Sequence, residues 1–167
     1  MRRRLLIALL CLAARTYAGD MLRAGQPFPS WQLIDHTGAT VTSASLAGKK
    51  YLLWFFPKAM TPGCTVEGDG LRDNFSAFEK EGVEVLGISF DDPKANAQFV
   101  REQQFPFRLL SDTDHQLAVA VGASSGGQAV ARRISYLVGA DGKVLRAYDA
   151  VVPGSHATQV LNDLQLH

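Results

Sequence analysis

Several features that would assign this chain to a common functional class are missing from its sequence. It has 17 basic and 16 acidic residues, a formal net charge of +1, and its basic residues are scattered, so we expect no nucleic-acid partner. No phosphate-binding loop, haem motif or flavin fingerprint occurs, so we expect no cofactor. Four histidines lack the spacing of metal ligands, and we interpret them as surface or helix-cap residues: His36, His115, His156 and His167.

Cysteine is also rare, since the chain has only Cys11 and Cys64. Cys11 lies in an N-terminal segment with the pattern of a signal peptide, in which three arginines precede ten apolar residues and a small residue, Ala18, follows. We predict cleavage after Ala18, which gives a signal peptide at residues 1–18 and a single domain at residues 19–167. The alternative is an uncleaved membrane anchor, although ten apolar residues are few to span a bilayer.

Cleavage leaves one cysteine in a protein that we expect in the periplasm, without stable membrane association. No internal disulfide is then available. Exported proteins usually carry paired cysteines, so a single one is either buried and inert or kept for chemistry.

The surroundings of Cys64 indicate a reactive cysteine. Residues 51–56 (YLLWFF) are apolar without interruption, which is typical of a strand buried on both faces. Thr61 followed by Pro62 predicts the start of a helix, with a hydroxyl at the cap and proline in the first helical position. Cys64 then lies in the first turn, where backbone N–H groups lack partners and the helix dipole favours an anion. The sequence therefore predicts a nucleophilic thiolate at a strand-to-helix turn.

The rest of the chain alternates strand and helix patterns. One helix is predicted from Pro62 to about Lys80, ending at Gly82, because apolar residues recur there at helical spacing. Further strands are predicted at 83–90, 107–110, 133–138 and 143–148, strand or loop pieces at 27–34 and 40–46, and helices at 91–103, 112–121 and from 155 or 156 to 166. This order resembles a thioredoxin-like α/β fold, a central mixed β-sheet flanked by helices.

Two segments resemble the peroxiredoxins. The peroxidatic motif of that family, Pro-x-x-x-Thr-x-x-Cys, is matched at Pro57, Thr61 and Cys64, and the wider text FFPKAMTPGCTVEG is similar to the peroxiredoxin Q (bacterioferritin-comigratory) subfamily. The segment from Arg133 to Asp149, RISYLVGADGKVLRAYD, is similar to the arginine-bearing strand and hairpin of the same subfamily. The resemblance covers most of residues 22–167 and implies a cofactor-free thiol peroxidase that reduces hydrogen peroxide and organic hydroperoxides.

The resemblance also implies a role for each of five residues. Cys64 attacks a hydroperoxide oxygen and becomes a sulfenic acid, while Thr61 and Arg133 stabilise the charge that develops on the leaving oxygen. Pro57 shields the pocket from water, and Glu67 holds Arg133 in place. Simpler interpretations remain open: Thr61 as a helix cap whose oxygen accepts and whose proton stays free, Pro57 as a strand terminator, and Glu67 as an ordinary acid near a helix N-terminus.

The sequence departs from the subfamily at one position. Many members carry a resolving cysteine five residues after the first, where this chain has Asp69. We therefore predict a one-cysteine enzyme whose sulfenic acid is resolved by an external thiol: glutathione, a thioredoxin-like protein or a second copy of the chain. The resemblance implies a monomer or weak dimer.

Two functions other than a peroxidase would use a cysteine on this fold. A thiol–disulfide reductase is disfavoured because it needs Cys-x-x-Cys, and Glu67 occupies the position of the second cysteine. A non-enzymatic thiol redox sensor or binding protein on the same fold remains the alternative.

Overall fold

The computed structural model describes residues 20–166, and the predicted signal peptide lies outside this range. One mixed sheet of seven strands runs through the described part in the order β2-β1-β5-β4-β3-β6-β7. The strands are β1 (Gln32–Asp35), β2 (Thr40–Thr42), β3 (Lys50–Phe55), β4 (Val83–Ser89), β5 (Arg108–Ser111), β6 (Ile134–Val138) and β7 (Val144–Tyr148). The helices are α1 (Pro62–Asp73), α2 (Phe75–Lys80), α3 (Pro93–Gln103), α4 (Gln116–Ala120) and α5 (His156–Leu164), with a 3₁₀ turn at Ser43–Leu46.

β3 leads into the segment that contains Cys64, and it lies inside the sheet. It pairs in parallel with β4 and antiparallel with β6. Its side chains alternate between two cores, with Leu53 and Phe55 in one and Leu52 and Trp54 in the other. Cys64 belongs to the second core, together with residues of α1, α2, α3 and α5. The uninterrupted apolar run therefore reflects burial on both faces, as predicted, and the mixed sheet flanked by helices is confirmed.

The single helix predicted from Pro62 to about Lys80 is wrong, because the chain forms two helices there. Asn74 separates them with φ −103° and ψ 8°. Its side-chain amide donates to the carbonyl of Gly70 at 2.8 Å, and its backbone N–H reaches the same carbonyl at 3.3 Å. Asparagine side chains compete in this way with helical hydrogen bonds, and a separate helix, α2, starts at Phe75.

The smaller differences have local causes. The predicted helix at 112–121 is shortened to α4, because the buried Asp112 accepts from the N–H groups of Leu117 and Ala118 instead of joining the helix. The hairpin at Ala140–Gly142 is present, with Gly142 at φ 76° as such a turn requires. Within residues 20–166, none of the helices combines the length and the apolar character that a membrane span requires.

Candidate active site

Cys64 lies in the first turn of α1 and has no exposed surface. Thr61 occupies the N-cap position and Pro62 the first helical position, so the predicted helix start is confirmed. The thiol is free, and its backbone environment is the N-terminal end of a twelve-residue helix. The N–H groups at such an end have no intrahelical partners and favour an anion.

Arg133 is far from Cys64 in the sequence, but its cationic guanidinium lies beside the sulfur. It directly precedes β6, whose Ile134 pairs with Phe55 at the end of β3. Its Nη2 lies 3.5 Å from Cys64 Sγ, and its Nη1 donates to Glu67 Oε2. A Cβ on Gly63 would lie 3.1 Å from Nη2, so glycine at this position leaves room for the guanidinium.

Glu67 lies one turn after Cys64 and its side chain is completely buried. Burial raises the pKa of Glu67 above that of an ordinary carboxyl, and the hydrogen bond from Arg133 acts in the opposite direction. Partial burial lowers the pKa of Arg133, but its contacts with Glu67 and Cys64 outweigh this and raise it above its ordinary value. The guanidinium is therefore a permanent cation held between a carboxylate and the sulfur.

Thr61 differs from the prediction in its hydrogen bonding. Its side chain accepts no hydrogen bond from α1; its hydroxyl donates instead to the carbonyl of Lys58 at 2.9 Å. The reason is the loop before the helix, in which Met60 has a left-handed backbone, φ 65°, that folds the chain back. We predicted that the Thr61 oxygen accepts from the helix and that its hydroxyl proton stays free, and this is wrong. The hydroxyl proton is donated to the Lys58 carbonyl, and the oxygen lone pairs are the part that stays available.

The loop that follows Pro57 is held by a residue that the sequence did not single out. Pro57 itself is half-buried just beyond β3, in agreement with its interpretation as a strand terminator. Asp91, at the start of the segment leading into α3, accepts from the backbone N–H of Ala59 at 2.8 Å and from Lys58 Nζ at 3.1 Å. Asp92 caps α3 through the N–H of Ala95, which frees Asp91 for the loop. From the sequence alone, either of these two adjacent aspartates could have been the N-cap of α3.

His156 is the second residue that sequence reasoning missed. We interpreted it as a surface or cap residue, but its side chain is completely buried beneath the site. Its Nε2 lies 2.9 Å from Ser135 Oγ and 4.0 Å from Glu67 Oε1. Burial, with a contribution from the nearby charge of Arg133, lowers the pKa of His156 to about 4. A serine at the second position of the otherwise apolar strand β6 was the available sign that a polar partner was needed.

Asp69 occupies the position of the missing resolving cysteine. Its Oδ1 accepts from Arg72 Nη1 at 2.7 Å, and the same nitrogen donates to the carbonyl of Gln103 at 2.8 Å. These contacts link α1 to the end of α3. No group of three or more histidine, cysteine, aspartate or glutamate residues that could hold a metal ion occurs in the described part of the chain.

The chain is similar to known proteins over most of its length. The profile of the AhpC/TSA family matches residues 24–147. The chain is 40% identical over 152 residues to peroxiredoxin Bcp of Escherichia coli strain K12, covering 87% of this chain and 97% of that protein. The crystal structure of peroxidoxin BcpB from Mycobacterium tuberculosis superposes with a TM-score of 0.82 at 29% identity, over 87% of this chain and 97% of that one. Peroxiredoxin Q of Xanthomonas campestris gives a TM-score of 0.76 at 33% identity, over 82% and 90% of the two chains.

Proposed function

The chain belongs to the AhpC/TSA family, with a thioredoxin-like fold and relatives named peroxiredoxin Bcp and peroxiredoxin Q, and we propose that Cys64 is its peroxidatic cysteine. The protein is a thiol peroxidase. The observation that carries the assignment of the site is the guanidinium of Arg133, which contacts both Cys64 Sγ and Glu67. Burying a charged pair costs free energy, so a fixed guanidinium beside Cys64 argues against a thiol that is merely buried and inert.

The reaction is a displacement at oxygen. The Cys64 thiolate attacks the terminal oxygen of a hydroperoxide; the S–O bond forms, the O–O bond breaks and the electron pair leaves on the second oxygen. That oxygen takes up a proton and departs as water or an alcohol. The sulfur is oxidised to a sulfenic acid, and the peroxide is reduced by two electrons.

Three groups of the site would stabilise this transition state. Arg133 supplies a fixed positive charge for the sulfur and for the oxygens as negative charge spreads over them. The unpaired N–H groups at the start of α1 supply donors on the other side. Thr61, whose proton is held by the carbonyl of Lys58, offers lone pairs that accept a hydrogen bond from the O–H of the incoming hydroperoxide. Pro57 has no backbone N–H group to donate, and its ring restricts the access of water to the sulfur.

Reduction of the sulfenic acid requires an external thiol in this proposal, because Cys64 is the one cysteine in residues 19–167. Glutathione, a thioredoxin-like protein or a second copy of the chain supplies it. Export to the periplasm, supported by the N-terminal sequence pattern, separates the protein from the cytosolic thioredoxin system. We further propose that it acts as a monomer or weak dimer.

Stopped-flow mixing of the reduced protein with hydrogen peroxide tests the assignment. The full chain is expressed in a host competent for export, and the N-terminus of the product is sequenced to determine whether cleavage follows Ala18. We expect oxidation far faster than that of a free cysteine thiolate, a sulfenic-acid trap attached to Cys64, and no reaction of the Cys64→Ser variant. A rate equal to that of free cysteine would contradict the peroxidase site and favour the redox sensor or binding protein.

A further inference from the structure

A small polar cluster lies buried beneath the catalytic arginine, and two of its three members have no part in the proposed reaction. It consists of Glu67 on α1, Ser135 on β6 and His156 at the first position of α5. All three side chains are buried in the second core. Burying three polar groups side by side is unfavourable unless they satisfy one another, so their arrangement calls for an explanation.

The electrostatics assign the tautomer of His156. Its Nε2 faces Ser135 Oγ at 2.9 Å and Glu67 Oε1 at 4.0 Å. If Nε2 carried the lone pair, that lone pair would lie toward the negative end of a buried carboxylate, which is repulsive. With the proton on Nε2, the N–H donates to Ser135 and turns its positive end toward Glu67. The neutral Nε2–H form is therefore the one that fits.

The two oxygens of Glu67 then have different tasks. Oε2 accepts from Arg133 Nη1, while Oε1 forms no hydrogen bond of ordinary geometry within residues 20–166 and has both the imidazole edge and the indole of Trp54 nearby. Because a carboxylate is planar, fixing the environment of Oε1 also fixes the direction in which Oε2 is presented. The guanidinium is planar as well, so the orientation set at Nη1 decides where Nη2 lies relative to the sulfur.

We propose that His156 is a positioning residue for the peroxidase reaction: held by Ser135, it orients Glu67, which in turn aims Arg133 at Cys64. The C-terminal helix thereby takes part in the site without touching substrate. α5 lies against α1 where a Cβ on Gly70 would be 3.9 Å from Ala157 Cβ, so the distance between imidazole and carboxylate is fixed by close helix packing. This inference rests on the proposed function.

Two amide variants of His156 test the proposal as a matched pair. Glutamine carries its NH₂ group at about the reach of Nε2, whereas asparagine is one methylene shorter and withdraws the donor from Ser135 and Glu67. We expect His156→Asn to lower the second-order rate constant for oxidation of Cys64 by hydrogen peroxide about tenfold, as misplacement of a catalytic group does. His156→Gln should stay within about threefold of the unmodified protein, because the donor is kept.

A double-mutant cycle separates positioning from general structural damage. In an Arg133→Gln background the guanidinium is absent, so His156→Asn should lower the rate less than about twofold. Val160→Ala, which removes core volume from the same helix, serves as the control: it should lower the melting temperature and leave the rate unchanged. If the His156 variants do not fold, Ser135→Ala, which deletes a single oxygen atom, replaces them and is combined with Arg133→Gln in the same double-mutant cycle.

The outcomes distinguish the inference from the function on which it rests. An equal loss in both backgrounds, equal rates for the asparagine and glutamine variants, or slowing by Val160→Ala would overturn the role of His156. If the unmodified protein reacts no faster than free cysteine, the proposed function itself fails. A fast unmodified protein with unaffected His156 variants removes the positioning role alone.

Discussion

The buried imidazole of His156 predicts a loss of stability in mild acid. Its pKa falls from 6.5 to about 4 on folding, so between these values the unfolded chain binds a proton that the folded chain excludes. Stability must then fall as the pH decreases through this window. The difference between the two pKa values corresponds to about 3 kcal/mol once the pH is below 4, and to about 2 kcal/mol at pH 5.

Other titrating groups act in the same range and must be separated. The pKa values of Glu67 and Asp112 are raised, above all by burial, so these carboxyls bind protons more tightly in the folded state and oppose the acid loss. The charged and titratable groups that face the imidazole are Arg133, Glu67 and Tyr148, whose ring centroid is 5.2 Å away. The side chain of Gln159, on the same helix, acts to raise the pKa of His156. The pH dependence of the unfolding free energy that is missing in His156→Gln is the part due to the histidine. Making the same comparison in a Glu67→Gln background excludes the contribution of the neighbouring carboxyl.

Urea unfolding at a series of pH values measures the effect. The unfolding free energy of the unmodified protein, minus that of His156→Gln, should fall by about 2 kcal/mol between pH 7.5 and pH 5. A difference that stays constant over this range would refute the reasoning, because it would show that His156 titrates equally in the folded and unfolded states.

Three further variants test other contacts. Arg133→Gln should slow oxidation of Cys64 about a hundredfold while the protein stays folded, because it removes the charge at 3.5 Å from the sulfur; the exposed neighbour in Arg132→Gln should react at the unmodified rate, and equal rates for the two variants would contradict the site. Gly68→Ala should destabilise the fold by about 1–3 kcal/mol in urea unfolding, since the new methyl would meet an aromatic ring at 2.4 Å. Gly70→Ala, on the same helix with its nearest neighbour at 3.9 Å, should be neutral or stabilising. Asp91→Ala should slow oxidation several-fold and leave the melting temperature within a few degrees, because it releases the loop before α1; an unchanged rate would show that the loop needs no such anchor.

Much of the fold could be predicted because its signals are local. The apolar run of β3, the Thr61–Pro62 helix start and the Asp-Gly hairpin each depend on a few neighbouring residues, and the structure has all three. The errors arose where a local pattern was interrupted by a side chain. Asn74 divides the predicted long helix by bonding to the Gly70 carbonyl, and apolar spacing contains no information about such a competing hydrogen bond.

The sequence alone placed a thiol at a strand-to-helix turn and showed Asp69 where many relatives carry the resolving cysteine, since both follow from residue identity and spacing. The family motif added Arg133 and Glu67 as its companions. Only the tertiary structure could bring together residues separated by 69 positions at 3.5 Å, turn the Thr61 hydroxyl toward Lys58, and bury His156 against Ser135 and Glu67. These contacts depend on the pairing of β3 with β6 and on the packing of α5 against α1, and the energies that fix such long-range packing are not encoded in any short stretch of the chain.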